Sequence, residues 1–281
     1  MILIDYNGIA VGNIITQRVE LREDIIRHMI LNTIRMYRKK FKQYGNVVIT
    51  CDGGSWRRDY FPEYKWKRRN SREESDLNWE EIFRIINLVR EEIKENFPYK
   101  VLHMIGVEAD DMIGAIIEQT QEFGQGEDVM IVSADKDFAQ LQKFNNVKQY
   151  SPMTKKFIEI DNPRMFLFEH VLKGDSSDGV PNVLSGDKTF VDGIRQSPMT
   201  KKKIQYYFDN ADKLESIMGN EVYRNYKRNK LMIDLADIPE TVKSDIINTY
   251  EKSKPAHQSK ILNYLIKKRC KMLIECIEDF T

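Results

Sequence analysis

Three short, continuously apolar runs rich in β-branched residues each end on acid. Ile2-Leu3-Ile4 meets Asp5, and Val47-Val48-Ile49-Thr50-Cys51 meets Asp52. Val129-Met130-Ile131-Val132 leads through Ser133 and Ala134 to Asp135 and Asp137. Runs of this length without polar alternation predict strands covered on both faces, as in a parallel sheet under helices. In open α/β sheets the functional crevice lies beyond the carboxyl ends of the strands. Separate strands would therefore deliver carboxylates to one crevice. Crowded carboxylates repel and resist desolvation unless cations share the site, and an oxygen-rich set suits Mg²⁺ or Mn²⁺. The pattern points to metal-assisted chemistry on a phosphate.

Around these runs the periodicity turns helical. Residues 22–44 carry Ile25, Met29, Ile30 and Ile34 at helical spacing, and residues 79–96 carry Ile82, Ile85, Ile86, Val89 and Ile93. Pro98 stops the second helix, and a strand is expected over 99–105. Glu108-Ala109-Asp110-Asp111 then opens a helix running through Glu122, and a Gly124-Gln125-Gly126 turn leads to the third acid-tipped run. This alternation specifies an α/β fold with a mostly parallel, doubly wound sheet. Beyond residue 162 the pattern is mainly helical, with short strands expected near 148–160. The expected division is an α/β part over 1–162 and a helical part over 163–281. Segment 56–76 mixes Pro, Ser and aromatic residues without periodicity and reads as a mobile connection.

The 44 basic residues barely outnumber the 43 acidic ones, so a net charge of +1 gives no global field toward nucleic acid. The distribution says more. Between residues 56 and 72 stand seven basic residues (Arg57, Arg58, Lys65, Lys67, Arg68, Arg69, Arg72) against Asp59 and Glu63. A near-neutral total thus hides a basic surface set against an acidic pocket. Three scattered cysteines, Cys51, Cys270 and Cys276, supply neither a disulfide framework nor a Cys₄ zinc site, which fits a reducing cytoplasm. No apolar run approaches the roughly 20 residues needed to cross a bilayer, so no membrane role is expected.

Each acidic group has a plain structural reading. Glu108, Asp110 and Asp111 would cap a helix and answer its dipole. Asp135-Lys136-Asp137 would form a turn after a strand. The joint pattern discriminates better than any member. Asp175 and Asp178 add another pair whose i, i+3 spacing faces one way on a helical turn. Two metals about 3.5–4 Å apart can clamp the attacking and leaving oxygens of an in-line displacement, given carboxylates from several directions. Other catalytic devices are missing. Gly186-Asp187-Lys188-Thr189 ends like a phosphate loop but lacks its first glycine and preceding strand. The four histidines, His28, His103, His170 and His257, lack ligand spacing and read as structural.

Taken with Trp56-Arg57-Arg58-Asp59, Tyr64-Lys65 and residues 173–181, these motifs resemble the flap-endonuclease-like 5′ nucleases, most closely their phage ribonuclease H branch. The resemblance spans essentially the whole chain. It implies that Asp5, Asp52, Glu108, Asp110, Asp111 and Asp135 form a first metal cluster, and Asp137, Asp175 and Asp178 a second, with two Mg²⁺ ions replaceable by Mn²⁺. It makes 56–76 an arch or clamp with a Tyr-Lys-x-x-Arg pattern at Tyr64, Lys65 and Arg68. There Lys65 and Arg68 would stabilise charge on the scissile phosphate, Tyr64 would stack on an unpaired base, and Arg57 and Arg58 would add contacts to nucleic acid. Residues 173–210 resemble a helix–three-turn–helix element, implying that Gly179, Val180, Gly186 and Lys188 hold duplex phosphates. The resemblance also brings in K⁺ at that element. Asn182 in place of a common glycine, and Ser185-Gly186-Asp187 in place of a Gly-Ile-Gly-like stretch, weigh against its direct binding.

The implied activity is Mg²⁺-dependent 5′→3′ hydrolysis of RNA·DNA and DNA duplexes, forks and flaps, as in removing RNA primers from lagging-strand fragments during phage replication. A single-stranded-DNA-binding protein or a sliding clamp are the implied partners. A PIN-type endoribonuclease shares an acidic sheet end, but residues 163–281 and Gly179-Val180-Pro181 disfavour it. A non-catalytic junction-binding scaffold would be expected to lose carboxylates, and none of the expected positions is lost. A haloacid-type phosphatase would need a threonine near Phe138-Ala139. The basic and apolar stretch 261–277 reads as a packing helix.

Overall fold

The computed structural model describes residues 1–17, 20–121 and 126–281. Six strands, β1 Ile2–Asp5, β2 Val47–Cys51, β3 Lys100–His103, β4 Val129–Val132, β5 Val147–Ser151 and β6 Lys156–Ile158, form one sheet. Their order is β3-β2-β1-β4-β5-β6, parallel throughout except for the last pair. The helices in chain order are α1 Tyr6–Gln17, α2 Glu23–Lys40, α3 Arg57–Tyr60, α4 Trp66–Glu73, α5 Trp79–Asn96, α6 Ala109–Gln121 and α7 Pro163–Lys173. After them come α8 Lys201–Asp209, α9 Leu214–Met218, α10 Asn220–Ile233, α11 Glu240–Lys252, α12 Lys260–Lys267 and α13 Lys271–Ile274. The sheet order reverses at the β1/β4 boundary, the switch point where open α/β sheets place their ligands.

Contacts group the chain into two units. The first holds Met1–Gly54, Asn78–Glu159 and Glu240–Thr281; the second holds Ser55–Leu77 and Ile160–Pro239. This differs from one cut at residue 162. Segment 56–76 groups with the helical residues that follow Ile160, and residues beyond Glu240 group with the sheet.

In the first unit, alternate strand residues serve opposite faces. Ile2, Ile4, Val47, Ile49, Met130 and Val132 pack with α1, α2, α5 and α12 in one cluster. Leu3, Val48 and Ile131 point the other way and are equally buried, on the face that α6 covers, with α11 packed against α6 and β3. Each buried aliphatic side chain contributes about 1.5–3 kcal/mol, and the one hydroxyl in these runs, Thr50, donates to the Ile4 carbonyl at 3.2 Å. The expected helix over 22–44 is α2 followed by a 3₁₀ turn at Lys42–Tyr44, and the strand expected over 99–105 is the shorter β3. Glu122 and the Gly124-Gln125 part of the expected turn lie outside the described residues. The stretch 261–277 packs as expected, with Ile261, Tyr264 and Leu265 in the core.

The second unit is helical. Asn162 caps α7 by accepting the Met165 N–H at 2.9 Å, Pro163 starts it, and Gly174 at φ +67° ends it. Turns join it to α8, which Thr200 caps. The span 173–210, expected to hold a helix, turns and a helix, begins at the last residue of α7 and contains α8. The clamp segment is not a mobile connection. It folds as α3 and α4, because Phe61 and Tyr64 insert among Val171, Val180, Met232 and Ile233. Burial of two aromatic rings outweighs the missing periodicity.

Candidate functional site

Because β1 to β4 are parallel neighbours, their carboxyl ends share one edge of the sheet, and each delivers acid there. Asp5 closes β1. Its Oδ1 accepts the Gly8 N–H at 3.0 Å and its Oδ2 accepts the Ser133 hydroxyl at 2.8 Å. Asp52 follows β2. Its N–H donates to Asn7 Oδ1 at 3.2 Å, and its own Oδ1 accepts the Ala109 N–H at 2.8 Å, at the positive end of α6. Glu108, 5% exposed, leads into α6 after β3. Asp111 is wholly buried and its Oδ2 accepts the Glu108 N–H at 3.1 Å, the reciprocal half of a capping box. The capping reading of this acidic helix start is therefore realised at Asp111, while Asp110 lies half-buried one position earlier.

After β4, Asp135 caps the 3₁₀ segment Lys136–Lys143, its Oδ1 accepting the Asp137 N–H at 2.9 Å. Two residues without a role in the motif hold this corner. Ser133 accepts the Asp135 N–H at 3.1 Å while donating to Asp5. Gln149, wholly buried on β5, donates to the carbonyls of Ser133 at 3.1 Å and Asp135 at 2.6 Å. Neutral donors thus help fix the acidic corner in place. An all-oxygen donor set of this kind fits a hard divalent cation.

Gly8 is exposed, yet a Cβ there would lie 2.4 Å from Asp5 Oδ2. Gly8→Ala is expected to keep or slightly raise the melting temperature, since alanine favours a helix over glycine by about 0.5–1 kcal/mol. Hydrolysis should nonetheless fall at least about tenfold as Asp5 swings off Ser133, which would remove one charge-assisted hydrogen bond. Calorimetry and single-turnover cleavage measured together check this, and unchanged cleavage would refute it.

The second unit gathers another set. Asp178 Oδ1 accepts from Arg68 Nη2 at 2.7 Å, and its Oδ2 accepts the Tyr64 hydroxyl at 3.1 Å with Lys65 Nζ 3.4 Å away. The Lys65 N–H donates to the Asp178 carbonyl at 2.7 Å, and Lys65 itself sits in the left-handed region at φ +57°. Gly179, at φ +75°, passes so close to the clamp that a Cβ would lie 3.0 Å from the Glu63 carbonyl oxygen. The Tyr-Lys-x-x-Arg pattern therefore converges on one acid. Asp175, 4% exposed, accepts from the Ser177 N–H and hydroxyl at 2.8 and 2.6 Å. Its Oδ2 lies 3.5 Å from His170 Nε2, so His170 does not stand alone as its spacing implied.

Several expected nucleic-acid contacts are placed otherwise. Tyr64 is 3% exposed, so its ring packs in the core where base stacking is closed to it. Arg57, 2% exposed, donates from Nε to the Met232 carbonyl at 2.8 Å and lies over the Trp56 ring. Val180 is buried and its N–H is taken by the Asp175 carbonyl at 2.7 Å. Burial removes all three from a phosphate or base. Arg58, Gly186 and Lys188 are exposed, and Arg68 is partly so. Tyr60, 61% exposed beside Trp56, offers the ring face that Tyr64 does not.

A family model described as the 5′-3′ exonuclease N-terminal resolvase-like domain matches residues 3–168, and one described as T4 RNase H, C terminal, matches residues 161–280. The ribonuclease H of Enterobacteria phage T4 is 33% identical over 291 residues, covering 99% of this chain and 95% of the relative. The chain belongs to the 5′-3′ exonuclease family. Within that family the 5′-3′ exonuclease of Buchnera aphidicola subsp. Schizaphis graminum (strain Sg) is 28% identical over 241 residues, 78% of each chain. The fold is shared with the T5 5′-exonuclease bound to divalent zinc ions, at a TM-score of 0.63, 18% identity, and coverage of 90% of this chain and 98% of that one. A T5 flap endonuclease complex with DNA and metal ions gives a TM-score of 0.62 at 19% identity, covering 89% of this chain and 99% of that one. A metal-dependent 5′ nuclease of this family is an enzyme, not a bare scaffold, and its match through residue 280 leaves the PIN-type reading without support.

Proposed function

We propose that this 5′ nuclease hydrolyses phosphodiesters from the 5′ ends of RNA·DNA and DNA duplexes and releases flaps, with Mg²⁺ as its ion and Mn²⁺ able to replace it. The observation that carries the reading is the row of acids held by hydrogen bonds along the carboxyl edge of β1 to β4. Asp5, Asp52, Glu108, Asp110 and Asp135 would hold the ions, with Asp111 supporting them from the buried cap. In the second unit, Asp175 and Asp178 would add acidic groups of their own. Bound divalent ions supply a polarised phosphate and a water acidic enough to attack it.

The chain's own groups do the rest. Lys65 and Arg68 stabilise charge on the phosphate leaving their Asp178 contacts, and Arg58 adds positive charge. Tyr60 takes the stacking role. Gly186 and Lys188 track the duplex backbone. K⁺ is not needed in this reading, because the carbonyls of Pro181, Val183 and Ser185 already accept hydrogen bonds from side chains of α10. The setting is the cytoplasm, the host's if the chain is phage-encoded, with a single-stranded-DNA-binding protein or sliding clamp as partner. No helix among the described residues is long and apolar enough to cross a membrane.

A primed duplex labelled at its 5′ end, incubated with Mg²⁺, should release short labelled products, and chelation should stop release completely. Folded protein that yields no labelled product with either Mg²⁺ or Mn²⁺ would sink the proposal.

A further inference from the structure

Residues 181–200, between α7 and α8, run without regular secondary structure. Their carbonyl oxygens have no ladder partners and must be satisfied elsewhere. Side chains along α10 satisfy those of Pro181, Val183 and Ser185. Asn229 Nδ2 donates to the carbonyls of Val171 and Pro181, both at 2.8 Å, and Arg228 Nη2 reaches the Pro181 carbonyl at 2.9 Å. One turn earlier, Asn225 Nδ2 donates to the carbonyls of Val183 at 3.0 Å and Ser185 at 3.3 Å. Asn225 and Asn229 stand at i and i+4 on one face of the helix. They are 1% and 0% exposed, and the Arg228 side chain is 9% exposed.

The same helix grips the tip of the turn. Arg224 forks onto Asp187, Nη1 to Oδ2 at 3.0 Å and Nη2 to Oδ1 at 2.9 Å, and Arg228 Nη1 also donates to Asp187. Asp187 stands between Gly186 and Lys188. An acid beside a phosphate-binding lysine would repel the strand that lysine holds. Two guanidinium groups cancel that repulsion, and the forked geometry fixes the backbone on either side. Burial pushes the Asp187 carboxyl up, but its bonds to Arg224 and Arg228 outweigh this and hold it below the ordinary aspartate range. The turn is also tied internally through Asn182. Its Oδ1 accepts from the Leu184 N–H at 3.0 Å and the Ser185 hydroxyl at 2.9 Å, and its Nδ2 donates to the Ser197 carbonyl at 2.7 Å. The residue that departs from the family's glycine is thus part of the scaffold.

We propose that Asn225, Arg228 and Asn229 are positioning residues for duplex binding. They hold the 181–189 turn in the shape that presents Gly186 and Lys188 without touching substrate. The proposal rests on the reading that this turn binds duplex. Being buried, the three cannot contact a phosphate, so any effect they have on duplex affinity passes through the turn.

The test compares a long primed duplex with a single-stranded 5′-labelled oligonucleotide too short to reach the turn, well below the melting transition. Arg228→Lys keeps the charge but loses the fork, and Asn225→Asp keeps the shape but replaces the donor. Each is expected to raise the duplex KM about tenfold, as for one or two lost hydrogen bonds, with kcat within about twofold and the short substrate cleaved as by wild type. Lys188→Ala is the control, expected to raise duplex KM and to lower the salt slope of binding by about one unit. If Lys188→Ala raises KM while a folded Arg228→Lys does not, the proposal falls and the duplex reading stands. If both are silent, the duplex reading falls and takes the proposal with it. Equal losses on the two substrates would mark general damage to the fold and likewise overturn it. Should Asn225→Asp fail to fold, Arg228→Lys decides.

Discussion

Asp135→Asn is expected to stop hydrolysis while the protein stays folded and still binds duplex. Asp135 has two separable jobs in the structure. Its Oδ1 caps the Lys136–Lys143 segment through the Asp137 N–H, and its negative charge belongs to the row at the sheet edge. Asparagine caps as well as aspartate does, so the substitution removes charge and spares the corner. Losing a group that stabilises developing charge costs about 10²–10³ in rate, and losing a cation's ligand should reach the upper end or beyond. Single-turnover cleavage of a 5′-labelled duplex with saturating Mg²⁺ gives the rate, and fluorescence anisotropy with the same duplex in chelator gives the affinity. A rate within about tenfold of wild type would remove Asp135 from the metal set, since charge loss at a ligand is worth more than that.

Glu92→Ala should be the most damaging single change to stability away from the site. Glu92 on α5 is 7% exposed and Arg27 on α2 is 4% exposed. The guanidinium grips the carboxylate at 2.6 and 3.0 Å, the Tyr264 hydroxyl donates to it at 2.7 Å, and Lys268 Nζ lies 2.5 Å away. Removing Glu92 leaves Arg27 buried with its main counter-charge gone, at a cost of about 3–5 kcal/mol. For a chain of this size that corresponds to a melting temperature lower by roughly 10 °C. Replacing both partners, as in Arg27→Met with Glu92→Leu, should recover most of the loss, because two uncharged side chains leave no unpaired ion.

Acidity separates the variants further. Burial pushes the Glu92 carboxyl up, but hydrogen bonds from Arg27, Lys268 and Tyr264 prevail and hold it below the ordinary glutamate value of 4.5. A lowered folded pKa means that the stabilisation is complete above about pH 4.5 and disappears as pH falls through the folded value. The gap in melting temperature between wild type and Glu92→Ala should therefore be full at pH 7 and shrink below pH 4.5. A gap that stays constant across that range would show that the network does not act through the carboxylate's charge.

The sheet was legible because its physics is local. Val47 to Cys51 and Val129 to Val132 can sit only where both faces are covered, and the acids that follow them stand where a parallel sheet exposes strand ends. Helix α1 was hidden for the opposite reason. Tyr6 to Gln17 places apolar residues around most of its circumference and interrupts them with Gly8 and Gly12, so no face stands out. The clamp segment concealed its order because helices of four and eight residues are too short to display a period. Tertiary burial of Phe61 and Tyr64 supplies the order instead. That burial is also why the tyrosine of the recognisable motif is not the one with an open ring. Ser133 and Gln149 act through strand register: β4 and β5 align Ile131 with Gln149, which brings the amide within reach of the turn after β4. His170 meets Asp175 because Gly174 ends α7 between them, a bend that linear spacing does not reveal.

The threading of the two units limits how such a protein can be cut, shuffled or inherited. The chain leaves the sheet-bearing unit at residue 54, returns at 78, leaves again at 159 and comes home at 240. A gene fragment stopping at the end of β6 would encode every strand yet lack Ile246, Ile261, Tyr264, Leu265 and Phe280, all nearly sealed from water in the finished fold. Neither unit is a portable module, so recombination that trades one for a distant cousin's would have to exchange several separated stretches at once.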